Sequence, residues 1–339
     1  MIFKGKAPVK RFLFGVLALT SAFVFLIESK QKAGNPPMDT GHRRLVSIRS
    51  NTIPDTQAVD SITEDGKNGV TWDPSGASWQ LWKDSVTNTC SQYKTRFALG
   101  LPRTYLVSFP GSGNTWIRYL LEAASGVFTG SVYTDREIEA AGYLGEADKP
   151  DSGRTLVQKT HGTALVLLKS NMKTRYEVIK ADVPAVLIIR NPARAIISYW
   201  KFIKTQGKNK HTKQVPEKSF KTKEFRNYVA TMTVLWEQLI TDRLLWNTAP
   251  VHIVFYEHLV NDPVSYVKGI LEFLRFPTEE GRLKCMADHL QGSFKRPKKN
   301  ETDPYVTGEK EGMSYAVKRV NRLLTLLGYP ELPVYEDLL

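Results

Sequence analysis

Three segments of the chain carry residue types that can bind phosphate or move a proton. The first is the stretch SFPGSGNTW, residues 108–116, which lies between an apolar run and a helix-like run. Gly111 and Gly113 permit positive φ angles and close backbone approach, and a following helix offers unpaired N–H groups to an anion. The stretch lacks the Gly-Lys-Ser/Thr of a Walker A loop and the Gly-x-Gly-x-x-Gly of a dinucleotide fold. Alone, it is equally consistent with a plain strand-to-helix turn.

The second and third segments add an arginine, a hydroxyl and a histidine. Arg190 closes the apolar run in IIRNP, and Ser198 follows two turns along the next helix-like run. At the carboxyl end of a sheet, an arginine and a hydroxyl can hold a second phosphate by charge-assisted hydrogen bonds. His161 ends the run TLVQKTH, two residues after Lys159, and a histidine with a pKa near neutrality suits the deprotonation of an alcohol. The loop, the arginine and the hydroxyl favour a ligand with two separated phosphates. The histidine is a candidate base, although a histidine without supporting motifs is more often structural.

Strands and helices alternate from about Arg103, and this alternation must position the three segments. The predicted strands are TYLVSFP, TLVQKTH, PAVLIIRNP and VHIVFYEHL, beginning at residues 104, 155, 184 and 251. The predicted helices span residues 114–125, 192–202, 225–246 and 263–276. Continuous apolar strands joined by helices favour a parallel sheet covered on both faces. The predicted fold class is therefore α/β, in one domain.

Composition narrows the class of partner. The chain of 339 residues has a formal net charge of +13 at pH 7, which favours polyanions such as nucleotides, acidic glycans, nucleic acid or anionic lipid. Two cysteines, Cys90 and Cys285, are too few for a disulfide framework or a metal cluster, and their pairing cannot be deduced from the sequence. No His, Cys and carboxylate cluster has the spacing of metal ligands, so no metal is expected.

The N-terminal region predicts a membrane anchor. Residues 12–27, FLFGVLALTSAFVFLI, carry no charge and follow four basic residues. As a helix they would span about 24 Å, short for a plasma-membrane span but suited to the thinner bilayers of the early secretory route. The preceding positive charge predicts a cytoplasmic tail over 1–11 and a lumenal body. A cleaved signal peptide is the alternative, disfavoured because ESKQKAGN is a poor cleavage site.

Beyond the anchor, the sequence predicts a stem over residues 28–100 and a catalytic domain over 101–339. The stem begins polar and rich in Gly, Pro, Ser, Thr and Asp. Trp72, Trp79 and Trp82 then occur close together, which predicts a segment strapped onto the body or, alternatively, an aromatic platform for a sugar. Asn300-Glu301-Thr302 is the usable N-glycosylation sequon. Together these features predict a single-pass type II protein, with a lumenal catalytic domain in the Golgi.

Four motifs in order resemble the sulfotransferase superfamily. SFPGSGNTW resembles its 5′-phosphosulfate loop, and IIRNPARAIISYW resembles its 3′-phosphate motif. QKTHG is similar to the segment that carries the catalytic base, and VFYEHLVNDP to a strand-to-helix turn of the family. Within the superfamily, the motif PGSGNTW together with a short N-terminal anchor resembles the WSCD group, in its short, insect-type form that has no Cys-rich WSC modules. The resemblance implies a P-loop-like three-layer fold.

The resemblance implies 3′-phosphoadenosine 5′-phosphosulfate (PAPS) as co-substrate and assigns the residues that would hold it. The 5′-phosphate would lie on the loop, the 3′-phosphate on the arginine-serine pair, and the adenine against two aromatic rings. Arg296, in GSFKRPKK, resembles the arginine of a closing segment, although the glycine that usually follows is missing. The implied cofactor-binding residues are Gly111, Ser112, Gly113, Asn114, Thr115, Trp116, Arg190, Ser198, Tyr256 and Arg296.

The resemblance also implies the catalytic residues. His161 would act as base, and fixed cations or N–H donors would stabilise the leaving group. Cytosolic sulfotransferases carry a lysine at the position of Gly111, so Lys159 or Arg118 is expected to supply that charge, or backbone amides suffice.

The acceptor and the activity stay open at this stage. A glycan or glycoprotein is favoured over a small phenol, and the WSCD resemblance suggests sialic acid hydroxyls. A catalytically inactive nucleotide- or glycan-binding membrane protein on the same fold is the alternative reading. A P-loop kinase is disfavoured by the missing Walker lysine, and a nucleic-acid partner by the anchor. Neither the oligomeric state nor the acceptor can be deduced from the sequence.

Overall fold

The computed structural model describes most of the chain after residue 68, and every described residue lies in one compact unit, Ile53–Leu339. The described ranges are 69–83, 88–166, 171–205, 215–292 and 303–338. The anchor predicted over 12–27, Arg296 and Asn300 lie outside them. None of the helices within these ranges is both long and apolar enough to cross a bilayer.

Five parallel strands form the central sheet, in the order β4-β5-β3-β6-β7. A separate antiparallel hairpin, β1–β2, precedes it. The strands described are β1 Ser78–Gln80, β2 Lys94–Arg96, β3 Tyr105–Ser108, β4 Gly130–Ser131, β5 Gln158–Thr160, β6 Ala185–Ile189 and β7 Val251–Phe255.

Helices connect these strands and cover both faces of the sheet. The α-helices described are α1 Asn88–Ser91, α2 Asn114–Ser125, α3 Arg136–Ala140, α4 Met172–Ile179, α5 Pro192–Lys204, α6 Lys223–Trp246, α7 Tyr256–Asn261, α8 Pro263–Phe273, α9 Glu280–Asp288 and α10 Thr307–Leu326. Short 3-10 helices lie at Leu144–Ala147, Gly162–Leu165, Glu217–Lys221 and Glu336–Leu338.

The two faces of the sheet are built by alternate residues of the same strands. In β3, Val107 belongs to the core beneath α5, α6 and α10, whereas Leu106 belongs to the core beneath α2, α8 and α9. In β6, Leu187 and Ile188 divide in the same way. Strands buried on both faces read as unbroken apolar runs, because every side chain meets a helix layer. The predicted three-layer α/β fold is thus observed.

The four strands predicted from the sequence are observed as β3, β5, β6 and β7 of this sheet. The strand β4, two residues long, and the hairpin β1–β2 were not predicted, since neither is long enough to show a period. The helix predicted over 263–276 ends at Phe273 as α8. Leu274 and a positive φ of 52° at Arg275 turn the chain out of the helix.

Residues 69–100, which the sequence assigned to the stem, pack against the body where they are described. Trp82 is 5% exposed and its Nε1 donates to the Tyr119 hydroxyl at 3.2 Å. Cys90 forms a disulfide with Cys285 in α9, across 195 positions of sequence. The packed body therefore begins before residue 101, and the strapping segment predicted at the tryptophans is present.

Candidate functional site

The candidate site lies at the carboxyl edge of the central sheet. The phosphate-type loop follows β3, His161 follows β5, Arg190 follows β6 and Tyr256 follows β7. β3 is the first strand of the sheet in sequence and lies between β5 and β6. The next two strands, β4 and β5, lie on one side of it, and the last two, β6 and β7, lie on the other side. Such a switch of direction opens a crevice outside the carboxyl ends of the strands, where α/β proteins bind ligands.

Two glycines with positive φ shape the loop after β3. Gly111 has φ 83° and Gly113 has φ 80°. A Cβ on Gly111 would overlap the carbonyl oxygen of Ala195 and lie 2.9 Å from the Tyr199 backbone nitrogen, both in α5. A Cβ on Gly113 would overlap the ring of Tyr256. Gly111 stands at the position for which the resemblance to cytosolic sulfotransferases implies a lysine, and here that position has no room for any side chain.

The helix that follows the loop leaves its first N–H groups for a ligand. Gly113 is the N-cap of α2, and the first bond of the helical type runs from the Ile117 N–H to the Gly113 carbonyl at 3.0 Å. The N–H groups of Asn114, Thr115 and Trp116 precede it, in the turn where a helix has no internal partners. An anion placed there would also benefit from the helix dipole.

Side chains of the loop divide between structure and potential binding. The Asn114 Nδ2 donates to the Ser108 Oγ at 3.1 Å, which closes the loop on itself. Ser112 is 1% exposed, and its Oγ is buried with no hydrogen-bond partner among the described atoms. A buried hydroxyl without a partner is costly, and a ligand oxygen would satisfy it. The indole of Trp116 donates to the Leu290 carbonyl at 2.6 Å and meets Tyr256 edge-on at 6.0 Å.

Arg190 joins the loop to the end of β6. Its Nη1 donates to the Gly111 carbonyl at 2.6 Å, and its guanidinium lies 4.4 Å above the Tyr256 ring. Its Nε is buried without a partner among the described atoms. Ser198, one of the residues against which Gly111 packs, has its Cβ 3.1 Å from the Cβ position of that glycine. The two residues predicted to hold one phosphate thus lie at the same loop.

His161 is fixed in one tautomer by its surroundings. Its Nδ1 lies 2.8 Å from the carbonyl oxygen of Ser108, and a carbonyl only accepts, so Nδ1 carries the proton. The Nε2 of the neutral ring therefore carries the lone pair that a base needs. Burial lowers the pKa of His161 to about 3, and the positive charge of Lys159 acts in the same direction. The expectation of a pKa near neutrality is corrected, because this imidazole is partly withdrawn from water beside a cation.

Tyr133 contacts both candidate catalytic groups, and the sequence did not single it out. Its hydroxyl accepts the His161 backbone N–H at 3.0 Å, and its ring stacks on the imidazole at 5.6 Å and 18°. The Lys159 Nζ lies 5.8 Å from the same ring. Tyr133 follows β4, a strand with no sequence period, and 28 positions separate it from the histidine. No local pattern in the sequence could have joined them.

Arg118 is committed to the interior and does not face the loop. It is 0% exposed; its Nε donates to the Thr129 Oγ1 at 2.7 Å and its Nη1 to the Glu146 Oε2 at 2.5 Å. Lys159, in β5, has its Nζ 3.9 Å from the other Glu146 oxygen and is 8% exposed. Of the two cations that sequence offered for the leaving group, Lys159 alone lies beside the histidine and the tyrosine.

The arrangement offers an anion cradle next to a neutral imidazole. Within the part of the chain that the structure describes, the Ser112 Oγ and the Arg190 Nε have no hydrogen-bond partner, and these atoms together with the first turn of α2 suit phosphate oxygens. These atoms fit a phosphorylated nucleotide on chemical grounds. The structure brings together all the predicted site residues that it describes: Gly111, Ser112, Gly113, Asn114, Thr115, Trp116, Lys159, His161, Arg190, Ser198 and Tyr256.

Comparison with known proteins identifies the family. A family model described as "Sulfotransferase domain" matches residues 101–322. A WSCD family member of Drosophila pseudoobscura pseudoobscura is 33% identical over 233 residues, covering 67% of both chains. A WSCD family member of Drosophila melanogaster is 31% identical over 261 residues, covering 71% of this chain and 75% of its own. Among solved structures, mouse sulfotransferase SULT7A1 complexed with PAP is 15% identical with a TM-score of 0.38, covering 67% of this chain and 87% of that one.

Proposed function

This chain belongs to the sulfotransferase domain family, with WSCD-like relatives, and from that membership we propose that it transfers a sulfuryl group from PAPS to a hydroxyl of a glycan or glycoprotein. A sialic acid hydroxyl is the acceptor to test first, on the WSCD resemblance. The donor, when bound, supplies the activated sulfuryl group. All other roles fall to residues of this chain.

One observation carries the proposal: the neutral His161, with Nε2 as its unprotonated nitrogen, lies beside the phosphate-type loop. The Ser108 carbonyl that holds Nδ1 belongs to the residue at the start of that loop, so base and cradle are fixed to each other at 2.8 Å. Nε2 would accept the proton of the acceptor hydroxyl. A bound anionic donor would raise the pKa of His161 from about 3, since a nearby negative charge favours the imidazolium.

The nucleotide would be held at two places. The first turn of α2 and Ser112 would bind the 5′-phosphate, and Arg190 with Ser198 would bind the 3′-phosphate. Tyr256 and Trp116, whose rings meet edge-on at 6.0 Å beside the loop, would contact the adenine. Lys159 would stabilise negative charge that develops on the leaving phosphate, a role in which a buried cation is most effective. No side chain can extend from Gly111 into this role.

The compartment is part of the same proposal. We propose a single-pass type II protein of the Golgi, on the basis of the uncharged residues 12–27 behind a basic tail. The Cys90–Cys285 disulfide supports a lumenal body, because such bonds persist in oxidising compartments. Nucleic acid has no place in this proposal.

Transfer of labelled sulfate from PAPS tests the function. The full chain is incubated with donor and a panel of glycoproteins, each in native and desialylated form. Incorporation that depends on sialic acid supports the narrower acceptor, and incorporation into both forms supports a different glycan hydroxyl. His161→Ala, at saturating donor, should lower turnover by about 10²–10⁴-fold, the usual contribution of a positioned base, and should still bind the nucleotide. An undiminished rate in His161→Ala would reject the mechanism.

A second candidate function, nucleotide or glycan binding without transfer, is favoured by Gly111, which leaves no room for the lysine of the cytosolic enzymes. Binding of the bisphosphate nucleotide by wild-type protein, with no incorporation into any acceptor, would support this candidate over the enzyme.

A further inference from the structure

A buried acidic residue lies behind the candidate site and contacts two cations of different elements. Glu146, on the 3-10 helix Leu144–Ala147, has a side chain that is 0% exposed. Its Oε2 accepts from Arg118 at 2.5 Å, and its Oε1 lies 3.9 Å from the Lys159 Nζ. The Oε1 is buried with no hydrogen-bond partner among the described atoms. A buried carboxylate is costly unless its charge is balanced, so its place between two cations is significant.

The carboxylate is held rigidly on the side away from Lys159. Arg118 is anchored by the Thr129 Oγ1 and, through Nη2, by the Thr129 carbonyl at 3.0 Å. The 3-10 helix packs against Thr129, the residue that precedes β4, since a Cβ on Gly145 would overlap the Thr129 carbonyl oxygen. The Glu146 N–H donates to the Tyr143 carbonyl at 2.9 Å. These contacts hold the backbone and the side chain of Glu146 independently of Lys159.

The distance to Lys159 distinguishes attraction from hydrogen bonding. At 3.9 Å the pair is beyond hydrogen-bond length, so Glu146 attracts the ammonium without accepting one of its N–H groups. Lys159 is in β5, two residues before His161, and Arg118 is one turn into the helix that follows the phosphate-type loop. The ion pairs thus connect the helix of the loop to the strand of the candidate base.

We propose that Glu146 is a positioning residue, which together with Arg118 tethers Lys159 to the helix of the phosphate-type loop and directs its charge at the leaving group. This assignment rests on the proposed sulfuryl transfer. Glu146 touches neither donor nor acceptor and acts through Lys159. Arg118, which the sequence offered as an alternative to Lys159 for the leaving-group charge, here donates to the Oε2 of the carboxylate.

The test compares Glu146→Gln with a matched control in the same network. Glu122→Gln changes another buried carboxyl group, which belongs to α2 and whose Oε1 accepts from the Thr129 N–H at 2.9 Å and from the Thr129 Oγ1 at 2.5 Å. At saturating donor and acceptor, Glu146→Gln should lower kcat by about 10- to 100-fold, the cost of a misplaced catalytic group, with the KM for donor nearly unchanged. Glu122→Gln should retain kcat within about threefold.

A double-mutant cycle separates positioning from a general loss of structure. If Glu146 acts through Lys159, Glu146→Gln should cause no further loss in the Lys159→Ala background. Equal losses in both backgrounds, or wild-type kcat in Glu146→Gln, would overturn the assignment. If Glu146→Gln does not fold, Glu146→Asp keeps the charge for Arg118, withdraws it from Lys159 and must show the same kcat loss. A wild-type chain that binds nucleotide but transfers nothing overturns the proposed function itself, which distinguishes the two failures.

Discussion

Replacing Gly111 by alanine tests whether the packing of α5 against the loop leaves no room for a side chain at residue 111. Gly111→Ala places a Cβ at φ 83°, which costs about 1–2 kcal/mol for an L residue in the left-handed region. The same Cβ meets the carbonyl of Ala195 and the backbone of Tyr199, so α5 must shift, and forced packing of this kind costs roughly a further 1–3 kcal/mol. We expect the free energy of unfolding to fall by about 2–5 kcal/mol.

Gly100→Ala is the matched control. Gly100 has φ 70°, and an added Cβ there meets no atom within 4 Å. It should therefore cost the backbone term alone, about 1–2 kcal/mol. Urea unfolding of the two variants isolates the steric term, and calorimetry with the bisphosphate nucleotide measures the site. Since α5 carries Ser198, Gly111→Ala should also weaken nucleotide binding, whereas Gly100→Ala should not. Equal stability and equal affinity of the two variants would refute the packing argument.

Four further predictions follow from the same contacts. Arg190→Ala should weaken the bisphosphate nucleotide about ten- to a hundredfold and 5′-AMP far less, because a charged hydrogen bond is worth roughly 1.5–3 kcal/mol; calorimetry measures both. With the pKa of His161 lowered to about 3, the fold favours the neutral ring, so stability is fully present above pH 6.5 and is lost as pH falls toward 3. His161→Gln should reduce that slope by up to about 1.36 kcal/mol per pH unit in urea titrations. Reduction of the Cys90–Cys285 bond should lower the free energy of unfolding by about 2–5 kcal/mol, as expected for a long closed loop. In sealed microsomes a C-terminal tag should resist protease, and Asn300 should accept a glycan.

Each of these has its own control. Arg194→Ala removes a neighbouring exposed arginine that is bound to Asp337, and it should leave nucleotide affinity unchanged. An equal effect of Arg190→Ala on both nucleotides would remove the assignment of the second phosphate. A pH slope identical in wild type and His161→Gln would contradict the lowered pKa. For the disulfide, a Cys285→Ser variant that still responds to reductant would show that the effect lies elsewhere. Digestion of the tag without detergent would refute the lumenal topology.

Local sequence was sufficient for the elements that carry the site. The four predicted strands were found because each is buried on both faces and therefore reads as an apolar run. The loop after β3 could be recognised because the backbone requires glycine at Gly111 and Gly113, whatever surrounds them. Asn191, whose side chain accepts from the Ala193 N–H, and Pro192 at the first turn mark the start of α5 in the sequence itself.

Contacts between distant segments decided the chemistry of the site. The sequence offered Arg118 and Lys159 as alternative cations. In the structure both are buried, but Arg118 donates to Glu146 and Thr129, whereas Lys159 lies beside Tyr133, on which His161 stacks. Tyr133 and Glu146 were missed because neither belongs to a periodic element. The pairing of Cys90 with Cys285 required α9 to lie against α1, and no spacing in the sequence predicts that contact.

The sequence by itself determined the fold class and the position of the phosphate-type loop, because periodicity and glycine requirements are local properties of the chain. The resemblance of four short motifs indicated the family. The tertiary structure alone decided that Gly111 is closed by α5, that His161 has its proton on Nδ1, and that Lys159 shares a buried carboxylate. Each of these depends on atoms that come from different elements: 53 positions separate Ser108 from His161, and 28 separate Arg118 from Glu146. Burial then changes the energies of these groups in ways that the residue type does not specify.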